Sequence, residues 1–328
     1  MKLSIFLAAQ FEQESPAADG LAAVMQQVAT AEQLGFQSVF LGHHYLARSQ
    51  FLQPVSLAAY IAARTSAIRI GFGVHLLTLH NPLAMAEEVA TLDVISGGRI
   101  TFGVGTGYRR REYDAFGIPF DERFRRLDES VPLLRRLWRG ETVEHDGAFG
   151  VLRDAQLLLR PVQVDGPPIW MGAFGERGIR RVAEHDACWL TSPEGTLDHL
   201  VERFALFRSE LRSRGLSEAR DYPLNREVSV AATRREAFDR VREYVEAQYR
   251  GYRAWDQVRD LSIDDVLADH ALVGTPDEVI ERLRSLHAAL GITEVVARVQ
   301  WMGMPNSDAL NTIQLLGEHV IPEISHWG

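Results

Sequence analysis

Two strand-like runs that end in small residues carry the clearest chemical signal in this sequence. Gly71-Phe72-Gly73-Val74-His75 closes an apolar, β-branched run, and Gly103-Val104-Gly105-Thr106-Gly107-Tyr108 closes the next; the helical pattern between them is stopped by Gly97-Gly98. Glycine at a strand end lets a ligand approach the backbone, so the two ends point to one binding site. A third cluster, Gly172-Ala173-Phe174-Gly175-Glu176, joins a strand to a helix. The first turn of that helix offers unsatisfied N–H groups and positive dipole character to an anion such as phosphate. His43 and His44 follow the run Ser38–Leu41. An imidazole at such a strand end titrates near neutrality and can move a proton, while its neighbour points away and helps to position the loop. The eleven histidines include no HExxH motif, there is no CxxC, and His43-His44 with Asp93 or Glu112 gives no recognised metal spacing; no metal is expected. No GxSxG elbow is present, which sets a serine hydrolase aside.

The elements that must position these residues alternate along the whole chain. Strands are expected at Leu3–Ala9, Ser38–Leu41, Ile68–Val74, Ile100–Gly105, Ile169–Gly172, Ala187–Leu190, Glu227–Ala231 and Glu294–Gln300. Helices are expected at Ala17–Leu34, Gln53–Arg64, Pro82–Ile95, Glu122–Trp138, Glu176–Glu184, Thr196–Arg214, Arg235–Arg250 and Pro276–Leu290, with Ser307–Ile324 closing the chain. Eight strands with intervening helices suggest an α/β fold, a (β/α)8 TIM barrel whose site lies at the carboxyl ends of its strands; a doubly wound sheet needs fewer strands. Two excursions interrupt the rhythm at that face. Glu141–Pro161 reads as a hairpin turning at Asp146-Gly147, and Tyr249–His270 reads as a lid over the pocket or as a packed surface excursion. Phe6, Phe11, Tyr45, Trp301 and Met302 are candidates for an apolar pocket lining.

At 328 residues and 46% hydrophobic, the chain can bury a large core as one domain, residues 1–328. The 35 basic against 44 acidic residues give a net charge of -9, which argues against a nucleic-acid partner. Arg109–Arg111 is a local basic patch, either a solvated turn or a neighbour of an anionic ligand. The lone Cys188 excludes an intrachain disulfide and reads as a buried core residue. No secretion signal and no apolar run of about 18 residues is found, so a soluble, cytoplasmic protein without membrane attachment is expected.

The order of motifs resembles the bacterial luciferase-like flavin monooxygenase family. It is carried by AEQLGFQSVFLGHHY (Ala31–Tyr45), AARTSAIRIG ending at Gly71, HNPLAMAEEVATLDVISGGRITFGVGTGY, and Glu112-Tyr113-Asp114-Ala115-Phe116-Gly117. Arg123, Asp128-Glu129, PPIWMGA (Pro167–Ala173) and GTPDEV (Gly274–Val279) extend it over nearly the whole chain, with Gln248–Asp269 least matched.

The resemblance implies a homodimer, formed through the helices around Pro54–Arg64 and Pro82–Ile95, that binds FMN. The reduced FMN comes from a separate flavin reductase, reacts with O2 to a C4a-hydroperoxide and oxidises a small organic substrate. Alternatives in the same family are a dehydrogenase or reductase using a deazaflavin coenzyme and a catalytically silent flavin-binding protein. By motif, His43 is the catalytic residue, matching the first histidine of the family's Glu-His-His pattern, whose glutamate is replaced here by Gly42. The family's non-prolyl cis peptide falls at Gly73–Val74 or Val74–His75, against the flavin ring. Thr106, Gly107, Gly172, Ala173, Phe174, Gly175 and Glu176 are the implied phosphate contacts. Thr106 stands where many relatives carry arginine, with Arg109 or Arg177 as compensating cations.

Overall fold

The computed structural model describes residues 1–253 and 262–327. Nine parallel strands form one sheet: β1 Lys2–Leu7, β2 Ser38–Leu41, β3 Arg69–Phe72, β4 Ile100–Val104, β5 Ile169–Gly172, β6 Cys188–Leu190, β7 Pro223–Val230, β8 Leu272–Gly274 and β9 Glu294–Arg298. Their order is β6-β5-β4-β3-β2-β1-β9-β7-β8. The sheet is curled. Phe40 on β2 and Trp170 on β5 stack with ring centroids 5.1 Å apart, although three strand spacings on a flat sheet would separate them by roughly 14 Å. With Phe6, Leu190 and Val296 they form the apolar interior, while Ile5, Val39, Ile70 and Val295 face the surrounding helices.

All eight expected strands are present, and the α/β alternation with them; the closed eight-strand ladder is not. Between β6 and β7 no ladder forms among the described residues. Strand β6 has three residues, and beyond its end the Thr191 hydroxyl oxygen accepts the Asn225 backbone N–H at 3.0 Å, where a carbonyl would serve in a ladder. Strand β7 begins at Pro223, four residues before the expected Glu227, and its far end pairs with the unforeseen β8 (Val228 with Leu272, Val230 with Gly274).

Helix boundaries follow local chemistry. Pro82–Ser96 starts with Asn81 capping the Leu83 N–H and ends at Gly97, whose φ of 66° continues the chain in the left-handed region. Pro276–Leu290 carries a full capping box from Thr275 and Glu278. The basic patch Arg109–Arg111 is not a turn: a short helix, Arg110–Ala115, begins inside it. The hairpin pairs Val143–Gly147 with Gly150–Ala155 and turns at Ala148-Phe149, two residues later than expected. Its tip is held there by helix Arg123–Trp138: Glu129 accepts the Ala148 N–H at 2.8 Å, and Arg126 donates to the Ala148 carbonyl at 3.0 Å and lies over the Phe149 ring. Of the expected lid, residues 254–261 lie outside the described residues. Its start extends helix Arg234–Arg253, and its end, Ile263–His270, packs Ile263, Val266 and Leu267 into a second apolar cluster with Trp301. No described helix is long and apolar enough to cross a membrane.

Candidate active site

The carboxyl ends of the strands open into one cavity of about 940 Å³, lined by both polar and apolar side chains, a size that suits a cofactor with a small substrate. One wall is almost bare backbone. The Gly73–Val74 peptide is cis. A Cβ placed on Gly105 would lie 2.6 Å from Val74 Cγ2, and one on Gly172 would lie 2.9 Å from Val74 Cγ1. Val74 therefore fits between β4 and β5 only because both neighbours lack side chains. The chain is re-anchored at His75, whose N–H donates to the Gly103 carbonyl at 2.7 Å and whose carbonyl accepts from the Gly105 N–H at 2.9 Å. The Thr106 carbonyl is held from behind by the hydroxyls of Tyr113 and Thr78, so the Thr106-Gly107 step is fixed.

His43 lies in the cavity lining but is only 4% exposed. Its Nδ1 accepts the Leu76 N–H at 3.2 Å, and its Nε2 faces the Gln53 amide oxygen at 3.1 Å. The Gln53 amide is oriented by donating its own N–H to the His44 carbonyl. Nε2 must therefore carry the proton, which makes the ring a fixed neutral tautomer. Burial first, then the charges of His80 and His44, hold its pKa down to about 3, so the expected titration near neutrality is absent. His44 does not turn away: it also lines the cavity, with Nδ1 3.2 Å from Glu112. Buried Glu112 collects His44, the Tyr45 N–H at 2.9 Å and Arg109 at 3.1 Å. Arg109 also donates to the Tyr45 and Leu46 carbonyls, which commits it to holding that loop. The structure also gathers His43, His75 and His80, whose ring nitrogens lie within 4.8 Å of one another. Sequence spacing gave no sign of this cluster. Both nitrogens of His43 are engaged and His80 Nε2 is 3.2 Å from the Tyr45 hydroxyl, whereas both ring nitrogens of buried His75 have no hydrogen-bond partner among the described residues; the three rings pack tilted against one another.

Gly172, Ala173 and Phe174 line the cavity beside Gly73, Val74, Thr106 and Gly107, whereas Gly175 and Glu176 fall outside the lining. Phe174 leaves the first turn of helix Gly175–Glu184 without a side-chain cap, so its amides are unclaimed by side chains. Glu176 turns to Arg203 at 3.5 Å and Arg180 at 3.9 Å, away from an incoming anion. Arg177 lines the cavity and makes no ion pair among the described residues. Phe6, Trp301 and Met302 line the cavity as expected; Phe11 and Tyr45 do not.

Opposite the glycine wall stands a group of polar side chains that sequence reasoning missed. Asn225 and Glu227, two apart on β7, share the face that enters the cavity, while Leu224 and Val228 pack outward. Glu227 is 1% exposed, and neither of its oxygens has a hydrogen-bond partner among the described residues. The Asn225 amide oxygen and the Trp301 indole N–H are likewise buried without partners; Trp301 stands beside Glu227 but outside hydrogen-bond geometry. Burial pushes the Glu227 carboxyl up to about 7, against the pull of the Arg298 guanidinium and with the help of Glu194. The signal was present: the charged Arg226-Glu227 pair lies inside a strand run, where unpaired charge is costly to bury.

The family description of luciferase-like monooxygenases matches residues 1–294. Limonene 1,2-monooxygenase of Rhodococcus erythropolis is 28% identical over 345 residues, covering 98% of this chain and 86% of that protein. The crystal structure of monooxygenase RslO1 from Streptomyces bottropensis superposes with a TM-score of 0.89 at 26% identity, covering 98% of this chain and 99% of that one. The coenzyme F420 dependent tetrahydromethanopterin reductase from Methanopyrus kandleri, at 22% identity and a TM-score of 0.77 over 98% of each chain, shares the fold.

Proposed function

We propose, since the chain belongs to the luciferase-like monooxygenase family, that this cavity binds reduced FMN supplied by a separate reductase and that the protein uses it with O2 to oxidise a small organic substrate. The observation that carries this reading is the side-chain-free wall, where Val74 is seated between Gly105 and Gly172. A flat ring can lie against such a wall, and few other ligands need one. Gly73, Val74, Thr106 and Gly107 would face the ring. The backbone amides following Gly172, with Arg177, would take the phosphate, and Gly175 and Glu176 would contribute through the helix N-terminus they open. Reduced flavin, when bound, supplies the electron pair for oxygen activation, which no protein side chain offers.

The chain's own residues bind, orient and exclude water. Apolar Leu76, Met171 and Leu190 dry the cavity interior. His43 acts as a neutral imidazole that fixes the Leu76 and Gln53 positions beside the ring. Helices Pro54–Ala62 and Pro82–Ser96, with Tyr60, Val94 and Ile95 exposed, would form the homodimer contact; light scattering that reads a monomer at micromolar concentration removes that part alone.

Anaerobic fluorescence titration with reduced FMN and with reduced coenzyme F420 tests the reading. Saturable FMN binding followed by oxygen uptake on admitting air is expected. Binding of F420 alone, without oxygen uptake, would move the protein to the deazaflavin-dependent dehydrogenases and reductases, and binding of neither would overturn it.

A further inference from the structure

We propose that Glu227, Asn225 and Trp301 form a substrate-anchoring site that takes the hydroxyl group of an otherwise apolar alcohol or phenol. The anchor depends on the oxygenase reading only for the oxidation of the bound molecule, and deepens that reading by naming the substrate class. The three side chains enter the cavity from β7 and from the loop after β9, on the side of the curled sheet opposite the glycine wall. Four of their polar atoms, both Glu227 oxygens, Asn225 Oδ1 and Trp301 Nε1, are buried and lack hydrogen-bond partners among the described residues. Burying a polar atom without a partner is unfavourable, and four such atoms share a single cavity wall. With the Glu227 carboxyl ionised, three of the four accept and one donates; with it protonated, one of its oxygens donates as well. A hydroxyl group answers that set, because it can donate to the carboxylate and accept from the indole N–H at once; an ether can only accept, and a hydrocarbon does neither.

Polar Thr191, Ser192, Glu194 and Arg298 and apolar Leu190, Phe6 and Met302 also line the cavity. Phe6 spans the gap. Its ring lies under the Arg298 guanidinium, 4.6 Å from the centroid, and its edge would be 3.2 Å from a Cβ on Gly73. A ring system anchored by its hydroxyl at Glu227 therefore lies along Phe6, next to the Gly73–Val74 step. Glu194 and Arg298, both also in the lining, give this end of the cavity a charge of each sign.

Three probes of one skeleton separate these properties: 2-naphthol, 2-methoxynaphthalene and naphthalene, titrated by calorimetry into the full chain without cofactor. At least about tenfold tighter binding of 2-naphthol than of either analogue is expected. Glu227→Leu should reduce 2-naphthol to the affinity of naphthalene, and Glu227→Gln, which keeps an acceptor, should retain part of the preference. Circular dichroism and reduced-FMN titration on each variant report the fold and the opposite wall; should Glu227→Leu misfold, Glu227→Gln alone must still weaken 2-naphthol. Equal affinity for the three probes, no binding of any of them, or a preference that survives Glu227→Leu would overturn the proposal. Loss of FMN binding with an intact 2-naphthol preference would instead sink the flavin reading and leave the anchor standing.

Discussion

Two buried glutamates sit at opposite ends of the same curled sheet. Glu294 opens β9 at the amino-terminal edge, 2% exposed; Glu227 lies towards the carboxyl end of β7, 1% exposed. Burial is the largest influence on both and pushes each carboxyl up to about 7. They differ in what surrounds them. Glu294 accepts the Ser4 hydroxyl at 2.6 Å from the neighbouring strand and is part of a closed floor. Glu227 accepts no hydrogen bond among the described residues and faces a cavity. Equal burial with unequal satisfaction separates a carboxyl that serves the fold from one available to a ligand, in keeping with the division of labour between the two ends of such sheets.

The largest expected effect comes from filling the other wall of the cavity. Gly105→Leu places its Cβ where Val74 Cγ2 already is, 2.6 Å away, and pushes Val74 or the new side chain into the space the ring would use. Reduced-FMN affinity should fall by about 100-fold or more, roughly 2.7 kcal/mol, and the melting temperature should fall as well, because Val74 is seated in the seam between β4 and β5. An unaltered dissociation constant in a folded variant would put the cofactor elsewhere. Gly175→Leu is milder, since its Cβ meets open space. It forces a side chain into φ +59° and should weaken phosphate approach by about tenfold, 1.4 kcal/mol.

At the floor, the two glutamates can be told apart by pH. The folded pKa of about 7 for Glu294 lies above the unfolded carboxyl value, so the folded state holds a proton that the unfolded state releases. Its stabilising share is complete below about pH 4.5 and is lost as pH rises through 7. Glu294→Gln removes that loss. The variant should gain up to about 3 kcal/mol relative to wild type between about pH 5 and pH 8, measured as the difference in chemical unfolding free energies, with ligand binding untouched. Glu227→Gln should show a similar pH curve but also alter 2-naphthol binding. A pH-independent difference at Glu294 would mean that its carboxyl is not held protonated in the fold.

The two cavity walls were unequally legible in the sequence. The glycines of one wall stood out in the sequence, because Gly73, Gly105 and Gly172 are there for backbone reasons, and backbone demands leave a local signature; the cis bond falls at the first of the two steps that the family resemblance implied. Strands and helices were legible for the same reason: period, caps and stops act over a few residues. The wall of Glu227, Asn225 and Trp301 was not, since it arises when β7 and the loop after β9, some 75 residues apart, meet on one cavity. Strand β8 escaped notice because three residues of strand carry no periodicity, and the ladder gap at β6 depends on one threonine side chain, Thr191. His43 was found, but its protonation state was not: that depends on Leu76 and Gln53, which no spacing rule connects to it.

The smallest expected effect is at His43, where little should change with pH. An unhindered imidazole would gain a proton as pH falls through about 6.5. Burial holds His43 down to about 3, so it stays neutral in the folded protein, and the stability it contributes is present above 6.5 and is lost only as pH falls below that value, where the unfolded chain takes up the proton instead. Nitrogen NMR of histidine-labelled protein should therefore show the Nε2-protonated tautomer of His43 unchanged from about pH 8 to pH 5.5. His43→Asn leaves a carbonyl for the Leu76 N–H and should slow substrate oxidation by less than about tenfold, with the same pH profile as wild type; loss of a positioned acid or base would cost about 10²-fold or more. Oxygen uptake, hydrogen peroxide and product followed together would show whether the variant also leaks peroxide. A loss of about 100-fold with persistent peroxide release, or a His43 resonance that titrates near 6.5, would restore this residue as the proton carrier and show that the Leu76 and Gln53 bonds open during turnover.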